Sequence, residues 1–160
     1  MTNELRSMTS VYLRRGNELL LLFRQGSRVV NDLWISSAGG HFEPFELDRP
    51  KECALRELEE ELNITLEDIS DFKLKYIALR NVNNEIRQNY YYFAELRHEF
   101  NNKLSSNEGL LKWFDLSELP FQDMPLTAKE VLHHYVSHPN DNNLYGGLVV
   151  NEKTEFVRLY

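Results

Sequence analysis

Hydrophobic residues occur along the chain mainly in short runs that alternate with polar residues, which is the spacing typical of β-strands. The pattern predicts eight strands, at residues 10–15, 18–24, 29–37, 72–79, 86–96, 111–114, 145–150 and 155–160. Gly16 and Asn17 connect the first two strands, and residues 81–85 form a polar turn between two long ones. Because short polar turns of this kind join antiparallel strands, the pattern predicts hairpins within the sheet.

Two further segments have the spacing of amphipathic helices, Pro50–Leu62 and Leu126–Ser137. Proline is favoured in the first turn of a helix, so Pro50 marks a start, and Asp48 just ahead of it is a possible cap. Each segment has one apolar face, formed by Leu55, Leu58 and Leu62 in the first and by Leu126, Val131, Leu132 and Tyr135 in the second. Strands mixed with two helices predict an α/β (α+β) fold, an α/β/α sandwich.

The opposite face of the first helix gathers negative charge. Glu57, Glu60 and Glu61 are spaced i, i+3 and i+4, so their carboxylates project from one side of the helix. Like charges at this spacing destabilise a helix by about 0.2–0.5 kcal/mol per pair. A hard cation such as Mg²⁺ or Mn²⁺ takes carboxylate oxygens as ligands and would remove that repulsion.

Two interpretations of this acidic face are open from the helix alone. It is a solvated surface of an ordinary helix, or it is a metal site. Gly39 and Gly40 precede the helix and follow the apolar residues 33–35, and paired glycines let the backbone turn and approach a ligand closely. A strand, a glycine turn, a loop and an acidic helix in succession favour a cradle for a metal ion and a phosphate group.

This segment resembles the Nudix box, whose pattern is G-x5-E-x7-R-E-U-x-E-E-x-G-U, with U an aliphatic residue. Gly40 matches the first glycine, residues 56–61 read R-E-L-E-E-E, and Ile64 matches the final aliphatic position. Asn63 replaces the last glycine, and asparagine tolerates the left-handed conformation of a helix C-cap better than most residues do. On this segment the chain is identified as similar to Nudix hydrolases.

The loop ahead of the helix departs from the family pattern. Nine residues, instead of seven, separate Glu46 from Arg56. Glu46 keeps the family spacing from Gly40, whereas Asp48 keeps the spacing to Arg56, so either residue matches the first acid of the box. We favour Glu46, because residues 47–49 are the simplest place for the longer loop to be absorbed.

The resemblance implies a Nudix-like α/β/α sandwich with a mixed sheet, which hydrolyses a diphosphate bond with Mg²⁺ or Mn²⁺ as cofactor. The family's metal ligands correspond here to the Gly39 carbonyl, Glu57, Glu60 and Glu61. Arg56 would orient the acidic cluster through ion pairs. Glu57, Glu60, Arg56 and Glu108 are the implied catalytic residues. Glu108 lies in a loop before a strand and is the candidate general base, with Glu99 as the alternative.

The residues expected to contact the substrate are Gly40, His41, Glu46, Arg80 and Arg87. Residues 105–135 also resemble MutT-like bacterial members of the family, which favours a nucleoside triphosphate, with a modified purine as the leading candidate. ADP-ribose, a nucleotide sugar or a dinucleoside polyphosphate are alternatives. A non-catalytic nucleotide sensor is a further alternative, but such sensors usually lose the box carboxylates that this chain keeps.

Composition narrows the remaining possibilities. The 160 residues predict a single domain, with a terminal hairpin at about residues 145–160. A net charge of −7 argues against binding a nucleic acid polymer, and no apolar run is long enough to span a membrane. The first residues lack the apolar core of a signal peptide, and Cys53 is the single cysteine. We expect a cytoplasmic monomer or homodimer that binds a small nucleotide, with Cys53 packed as a small buried residue.

Overall fold

The alternating segments form one mixed sheet in a computed structural model, which describes residues 4–26, 32–151 and 153–160. Its strands are β1 (Glu4–Arg15), β2 (Glu18–Arg24), β3 (Leu33–Ile35), β4 (Ala38–His41), β5 (Ile69–Val82), β6 (Glu85–Leu96), β7 (Gly109–Asp115), β8 (Tyr145–Leu148) and β9 (Glu155–Arg158). The helices are α1 (Pro50–Leu62) and α2 (Leu126–Ser137), with the bounds that the hydrophobic spacing predicts.

The strands lie in the order β3-β2-β1-β6-β5-β8-β9, with β4 paired to β1 and β7 paired to β2. The β1–β6 and β5–β8 pairs are parallel, while the other pairs are antiparallel. Each face of the sheet has its own apolar core, one beneath α1 and one beneath α2. The predicted α/β/α sandwich with a mixed sheet is therefore confirmed.

Helix α1 packs its apolar face on the sheet because the small residues Cys53 and Ala54 allow close approach and Leu58 and Leu62 fill the core. The helix ends at Asn63, whose φ of 54° and ψ of 38° are left-handed. Asparagine therefore does here what the family's glycine does, as expected. Burial raises the pKa of the Cys53 thiol to about 11, which agrees with a packing role.

Several sequence-based element boundaries differ from the structure, and β5 for example extends from Ile69 to Val82. β1 begins at Glu4, not at residue 10, because its first half pairs with both β4 and β6. The predicted strand 29–37 is interrupted at Ser36 and Ser37: β3 ends before them and β4 begins after them, and residues 29–31 lie outside the described part of the chain. Asp48 does not cap α1, since the N-cap position is Arg49 and no side chain caps it.

The two glycines of the box lie in β4 and do not form a turn. Gly39 pairs with Ser10 and Gly40 with Thr9 in the antiparallel β1–β4 ladder. Glycine is needed at Gly39 for space, because a Cβ there would lie 2.3 Å from the backbone oxygen of Thr9, whereas a Cβ on Gly40 would meet the side-chain carboxylate of Glu57. The glycines therefore allow close packing, and they do so in extended backbone.

The last two strands form a hairpin at the edge of the sheet. β8 adds in parallel to β5, with Tyr76 opposite Tyr145, and β9 pairs with β8. Tyr145 and Phe156 cover the α2-side core beside Tyr76. Among the residues that the structure describes, no helix combines the length and hydrophobicity needed to cross a bilayer.

Candidate active site

A cavity of about 600 Å³ is lined by β1, β4, β5, β6, α1 and the first turn of α2. It brings together most of the residues expected at a functional site: Gly39, Gly40, His41, Glu57, Glu61, Arg80, Arg87 and Glu108. Glu46, Arg56 and Glu60 are not part of its lining. The pairing of the strands therefore brings together residues that are distant in sequence. Of the three α1 carboxylates, Glu57 and Glu61 line the cavity and Glu60 does not.

The acidic wall of the cavity consists of Glu57 and Glu61 on α1, together with Glu108 before β7. The carboxyl groups of Glu57 and Glu61 lie close enough to influence each other electrostatically. Burial raises the pKa of both groups, and repulsion from Glu108 and Glu57 helps to raise that of Glu61 to about 8. Partly buried carboxyls that lie side by side are a set of hard oxygen donors on which negative charge is unfavourable without a cation.

Arg56 stands behind this wall and holds several carboxylates at once. Its guanidinium donates two hydrogen bonds of 2.8 Å to the two carboxylate oxygens of Glu46. It also donates hydrogen bonds of 3.0 Å to Glu57 and to Glu60. A planar guanidinium in such a bidentate arrangement fixes geometry as well as charge. Arg56 therefore positions Glu57 for the cavity, which is the orienting arrangement that the sequence suggests.

Glu46, and not Asp48, is the acid that pairs with Arg56. The Glu46 side chain is 2% exposed, whereas that of Asp48 is 88% exposed and forms an ion pair with Arg49 at 3.8 Å. Arg56 lowers the pKa of Glu46 through its hydrogen bonds, against the effect of burial. The extra loop residues form an exposed turn after the short 3₁₀ turn Pro44–Glu46. Glu46 was expected to contact substrate, but the structure places it behind Arg56.

Glu60 also differs from its expected placement. Its side chain is 59% exposed and forms an ion pair with Arg56 at 3.0 Å. The described residues accordingly contain no ready-made cluster of three or more His, Cys, Asp or Glu side chains in metal-binding geometry. The Glu57–Glu61 pair faces the cavity, and Glu60 would have to leave Arg56 to join it.

Glu108 reaches the cavity because Gly109 packs against β2. A Cβ on Gly109 would lie 1.8 Å from the backbone oxygen of Phe23, so only glycine allows this approach. Gln25 donates a backbone hydrogen bond of 3.0 Å to the Glu108 carbonyl, and Arg24 lies 3.7 Å from the Glu108 carboxylate. Glu99 is in an exposed turn after β6 and is not part of the cavity lining. Of the two candidate bases, only Glu108 faces the acidic pair.

Another part of the cavity lining is basic, and one of its residues was missed from the sequence. Arg6 on β1 pairs with Arg87 on β6, which pairs with Arg80 on β5, so three arginines form a row across the sheet. We call Arg6, Arg80 and Arg87 the arginine row. Glu85 contacts two of them, while Arg80 has no ion pair with any described residue. Arg6 was missed because the parallel β1–β6 pairing joins distant segments.

His41 lies beside the arginine row. Its Nε2 atom is 2.7 Å from the Arg6 guanidinium, so this nitrogen accepts the hydrogen bond. Burial and the neighbouring Arg6 lower the pKa of His41, which favours the neutral ring at physiological pH. His41 therefore orients Arg6 at the cavity wall.

A family model described as the NUDIX domain matches residues 4–135, which include α1, most of α2 and most of the sheet. The chain belongs to the Nudix family. Members of this family hydrolyse nucleoside diphosphate derivatives, and family membership identifies the protein as a pyrophosphohydrolase. The resemblance of residues 39–64 to the Nudix box is thereby confirmed. No curated protein matches the chain in sequence.

Solved structures share the Nudix fold along most of the chain. A NUDIX hydrolase from Nitrosomonas europaea has a TM-score of 0.71 and 16% identity, covering 93% of this chain and 81% of that one. A MutT protein from Bacillus halodurans has a TM-score of 0.69 and 19% identity, covering 94% and 97%. An Ap4A hydrolase from C. elegans has a TM-score of 0.65 and 20% identity, covering 82% and 96%. These similarities show a common fold.

The Nudix box glycine nearest the acidic wall offers a test of the site geometry. A Cβ on Gly40 would lie 2.4 Å from Oε1 of Glu57, so Gly40→Ala must displace that carboxylate. We expect kcat/KM to fall by about a hundredfold, since small displacements of reacting groups have effects of this size. The free energy of unfolding should fall by less than about 1 kcal/mol, because a flexible side chain can move aside.

Steady-state kinetics and urea denaturation of Gly40→Ala would measure the two effects separately. Full activity in this variant would contradict the position assigned to the Glu57 carboxylate.

Proposed function

We propose that the protein is a divalent-metal-dependent hydrolase that converts a nucleoside triphosphate to the monophosphate and pyrophosphate. The observation that carries this proposal is the charge arrangement of one cavity, with Glu57, Glu61 and Glu108 on one wall and the arginine row at one end. Carboxylates alone would repel a phosphate chain. Carboxylates with a bound cation, next to arginines, would hold one.

The donor set fits Mg²⁺ or Mn²⁺. Glu57 and Glu61 present hard carboxylate oxygens whose raised pKa values reflect burial and repulsion from neighbouring carboxylates, and a divalent cation would relieve both effects. Glu60 and the Gly39 carbonyl remain proposed as further ligands. When bound, the metal supplies charge neutralisation at the phosphate oxygens and lowers the pKa of a coordinated water.

The residues of the chain have separate proposed tasks around this centre. The arginine row binds anionic oxygens of the phosphate chain, with Arg80 available because it has no ion pair among the described residues. Arg56 keeps Glu57 in position through a 3.0 Å hydrogen bond. Glu108 faces the acidic pair and accepts the proton of the attacking water.

The arginine row also favours one substrate class over others. It adds positive charge to the cavity from β1, β6 and β5, so it suits a substrate whose non-nucleoside end is itself negatively charged. A nucleoside triphosphate has such an end, whereas ADP-ribose and nucleotide sugars end in a neutral sugar. A dinucleoside polyphosphate is the second candidate, because its long anionic chain could also reach the row and a fold relative is an Ap4A hydrolase.

The proposed substrate is a small nucleotide and not a nucleic acid polymer, which the net charge of −7 disfavours. The oligomeric state, monomer or homodimer, and a cytoplasmic location stay predictions from sequence.

The test of this proposal is turnover in Mg²⁺ and in Mn²⁺ across dGTP, an oxidised purine triphosphate, ATP, ADP-ribose, a nucleotide sugar and a dinucleoside polyphosphate. Chromatography of the products identifies the bond that is broken. Monophosphate and pyrophosphate from a triphosphate, absent with Glu57→Gln, would support the proposal. Nucleotide binding without turnover by the wild type would favour the sensor instead.

A thermal shift tests the metal site without turnover. Millimolar Mg²⁺ is expected to raise the Tm of the wild-type protein, because an ion that binds only the folded state stabilises it by linkage. At about one hundred times the Kd the stabilisation is about 2.7 kcal/mol. Calorimetry with the Glu57→Gln, Glu61→Gln double variant is the control, in which the rise should disappear. An equal rise in both proteins would contradict the assignment.

A further inference from the structure

Two histidines lie one helical turn apart at the C-terminal end of α2. His134 belongs to the last turn and His138 is the C-cap residue, so the two are spaced i, i+4 and project from the same side of the helix. Their rings are stacked, with centroids 3.9 Å apart and planes inclined by 15°. Neither residue lines the acidic cavity, so the proposed hydrolysis leaves both unused. Two histidines at this spacing on one helix face are an arrangement that binds zinc in proteins.

The hydrogen bonds of the two rings involve the same nitrogen of each. Nδ1 of His138 lies 2.8 Å from the His134 carbonyl oxygen, and because a carbonyl only accepts, this Nδ1 carries the proton and Nε2 carries the lone pair. Nδ1 of His134 lies 2.8 Å from the hydroxyl of Tyr76, whose oxygen can accept in the same way. Histidines that bind a metal through one nitrogen usually donate the other N–H to an oxygen in this manner.

The remaining nitrogen of each ring is open to a ligand. Among the described residues, neither Nε2 atom has a hydrogen-bond partner. His138 is exposed and His134 is half-buried, and neither Nε2 belongs to the buried polar atoms that lack a partner. Both Nε2 atoms are therefore available from solvent.

The electrostatic surroundings of His134 favour a cation. Burial and the adjacent His138 lower the pKa of His134, which keeps its ring neutral at physiological pH and able to act as a ligand. Asp141 acts on the same pKa in the opposite sense, because its negative charge favours a positive charge on the ring. In the described part of the protein, no lysine or arginine is among the groups that shift the pKa of His134. A divalent cation at this ring would therefore meet a nearby carboxylate.

We propose that His134 and His138 form a second metal site, which binds a transition-metal ion that prefers imidazole nitrogen, such as Zn²⁺, through the two Nε2 atoms. Zn–N bonds are about 2.0–2.1 Å long, so rings stacked at 3.9 Å can share one ion after a small rotation. The described residues provide no third His, Cys, Asp or Glu in metal-binding geometry, so water completes the coordination. The site differs from the Glu57–Glu61 pair, whose oxygens suit harder cations.

A metal ion at this position would act on the C-terminal hairpin. The His134 ring packs edge-on against Tyr145 of β8 at 4.5 Å and lies 5.0 Å from Phe156 of β9, between ring centroids. Through Tyr76 it also contacts β5. An ion that fixes the His134 ring therefore holds the end of α2 against the hairpin, and Zn²⁺ should stabilise this part of the fold by linkage.

Calorimetric titration with Zn²⁺ in excess Mg²⁺ tests the proposal, because Mg²⁺ competes for the carboxylate site. We expect the wild type to bind one Zn²⁺ per chain under these conditions, and His138→Gln to weaken that binding by more than about tenfold. Tyr76→Phe removes the oxygen that holds Nδ1 of His134, and it should weaken Zn²⁺ binding by about tenfold. His98→Gln is the matched control, since His98 is exposed after β6 and should not affect the titration.

Thermal unfolding gives a second readout that does not depend on turnover. In excess Mg²⁺, added Zn²⁺ should raise the Tm of the wild type and of His98→Gln but not that of His138→Gln, and unfolding in EDTA checks that every variant is folded. Equal Zn²⁺ affinities of the wild type and His138→Gln would overturn the proposal, as would the absence of Zn²⁺ binding by the wild type in Mg²⁺. Either result would leave the proposed hydrolase function intact.

Discussion

Replacing Glu57 with glutamine is expected to lower kcat/KM by about a thousandfold while leaving the fold intact. Metal-ion stabilisation of developing charge is worth several kcal/mol, and about 4 kcal/mol corresponds to a thousandfold in rate. Glu57 is the α1 carboxylate that both lines the cavity and is held by Arg56 at 3.0 Å. Because burial and Glu60 raise its pKa, removing the charge should not lower the free energy of unfolding in the absence of metal.

Steady-state kinetics in Mg²⁺ and thermal unfolding in EDTA would measure these two effects. Glu59→Gln is the matched control, since Glu59 is exposed on the same helix and is not part of the cavity lining. Glu60→Gln asks a separate question. A loss similar to that of Glu57→Gln would mean that Glu60 leaves Arg56 to bind metal, whereas a small loss would mean that its ion pair is only supportive. Near-normal activity of Glu57→Gln would contradict the proposed metal centre.

Arg56→Ala is expected to have the largest effect on stability, a loss of about 3 kcal/mol in the free energy of unfolding. Breaking a buried ion pair by removing one partner costs about 3–5 kcal/mol, because the other charge is left buried and unpaired. Glu46 is that partner, with a side chain only 2% exposed. We take the lower end of the range because the Arg56 side chain itself is 22% exposed.

The loss should depend on pH, with a sign fixed by Glu46. In the wild type Arg56 lowers the pKa of Glu46, so this pair stabilises the protein at neutral pH and stops doing so as pH falls through the lowered value. Without Arg56, burial would raise the Glu46 pKa, and the variant would be penalised least when that carboxyl is protonated. The stability difference should therefore be large at neutral pH and shrink toward about pH 4.

Urea denaturation at both pH values would test this, with Arg49→Ala as the control because Arg49 makes only exposed ion pairs. Arg56→Lys should recover part of the stability, since lysine supplies the charge but not the bidentate geometry. A stability difference that stays constant between the two pH values would contradict the assignment of the loss to Glu46.

Helix α1 has features that local sequence predicts and others that it does not. The helix bounds and the C-cap at Asn63 depend on neighbouring residues only, and the structure has them as predicted. The same local spacing predicts the acidic face, but its three carboxylates do not all point to the same place. Glu57 and Glu61 turn toward the cavity, whereas Glu60 turns toward Arg56. Helical periodicity predicts the direction in which each side chain projects from the helix axis, but it does not predict which residues of other segments that side chain will meet.

The sequence by itself determined the family, the two helices, most of the strands and the residue types that could hold a metal and a phosphate, because these depend on local spacing and on one specific motif. Only the tertiary structure decided which acid pairs with Arg56, why Gly39 must be glycine, and that Arg6 joins the arginine row. Among the described residues, it also leaves the buried Tyr12 hydroxyl without a hydrogen-bond partner. Each of these depends on contacts between segments far apart in the chain, which pairing across the sheet creates and local spacing does not encode.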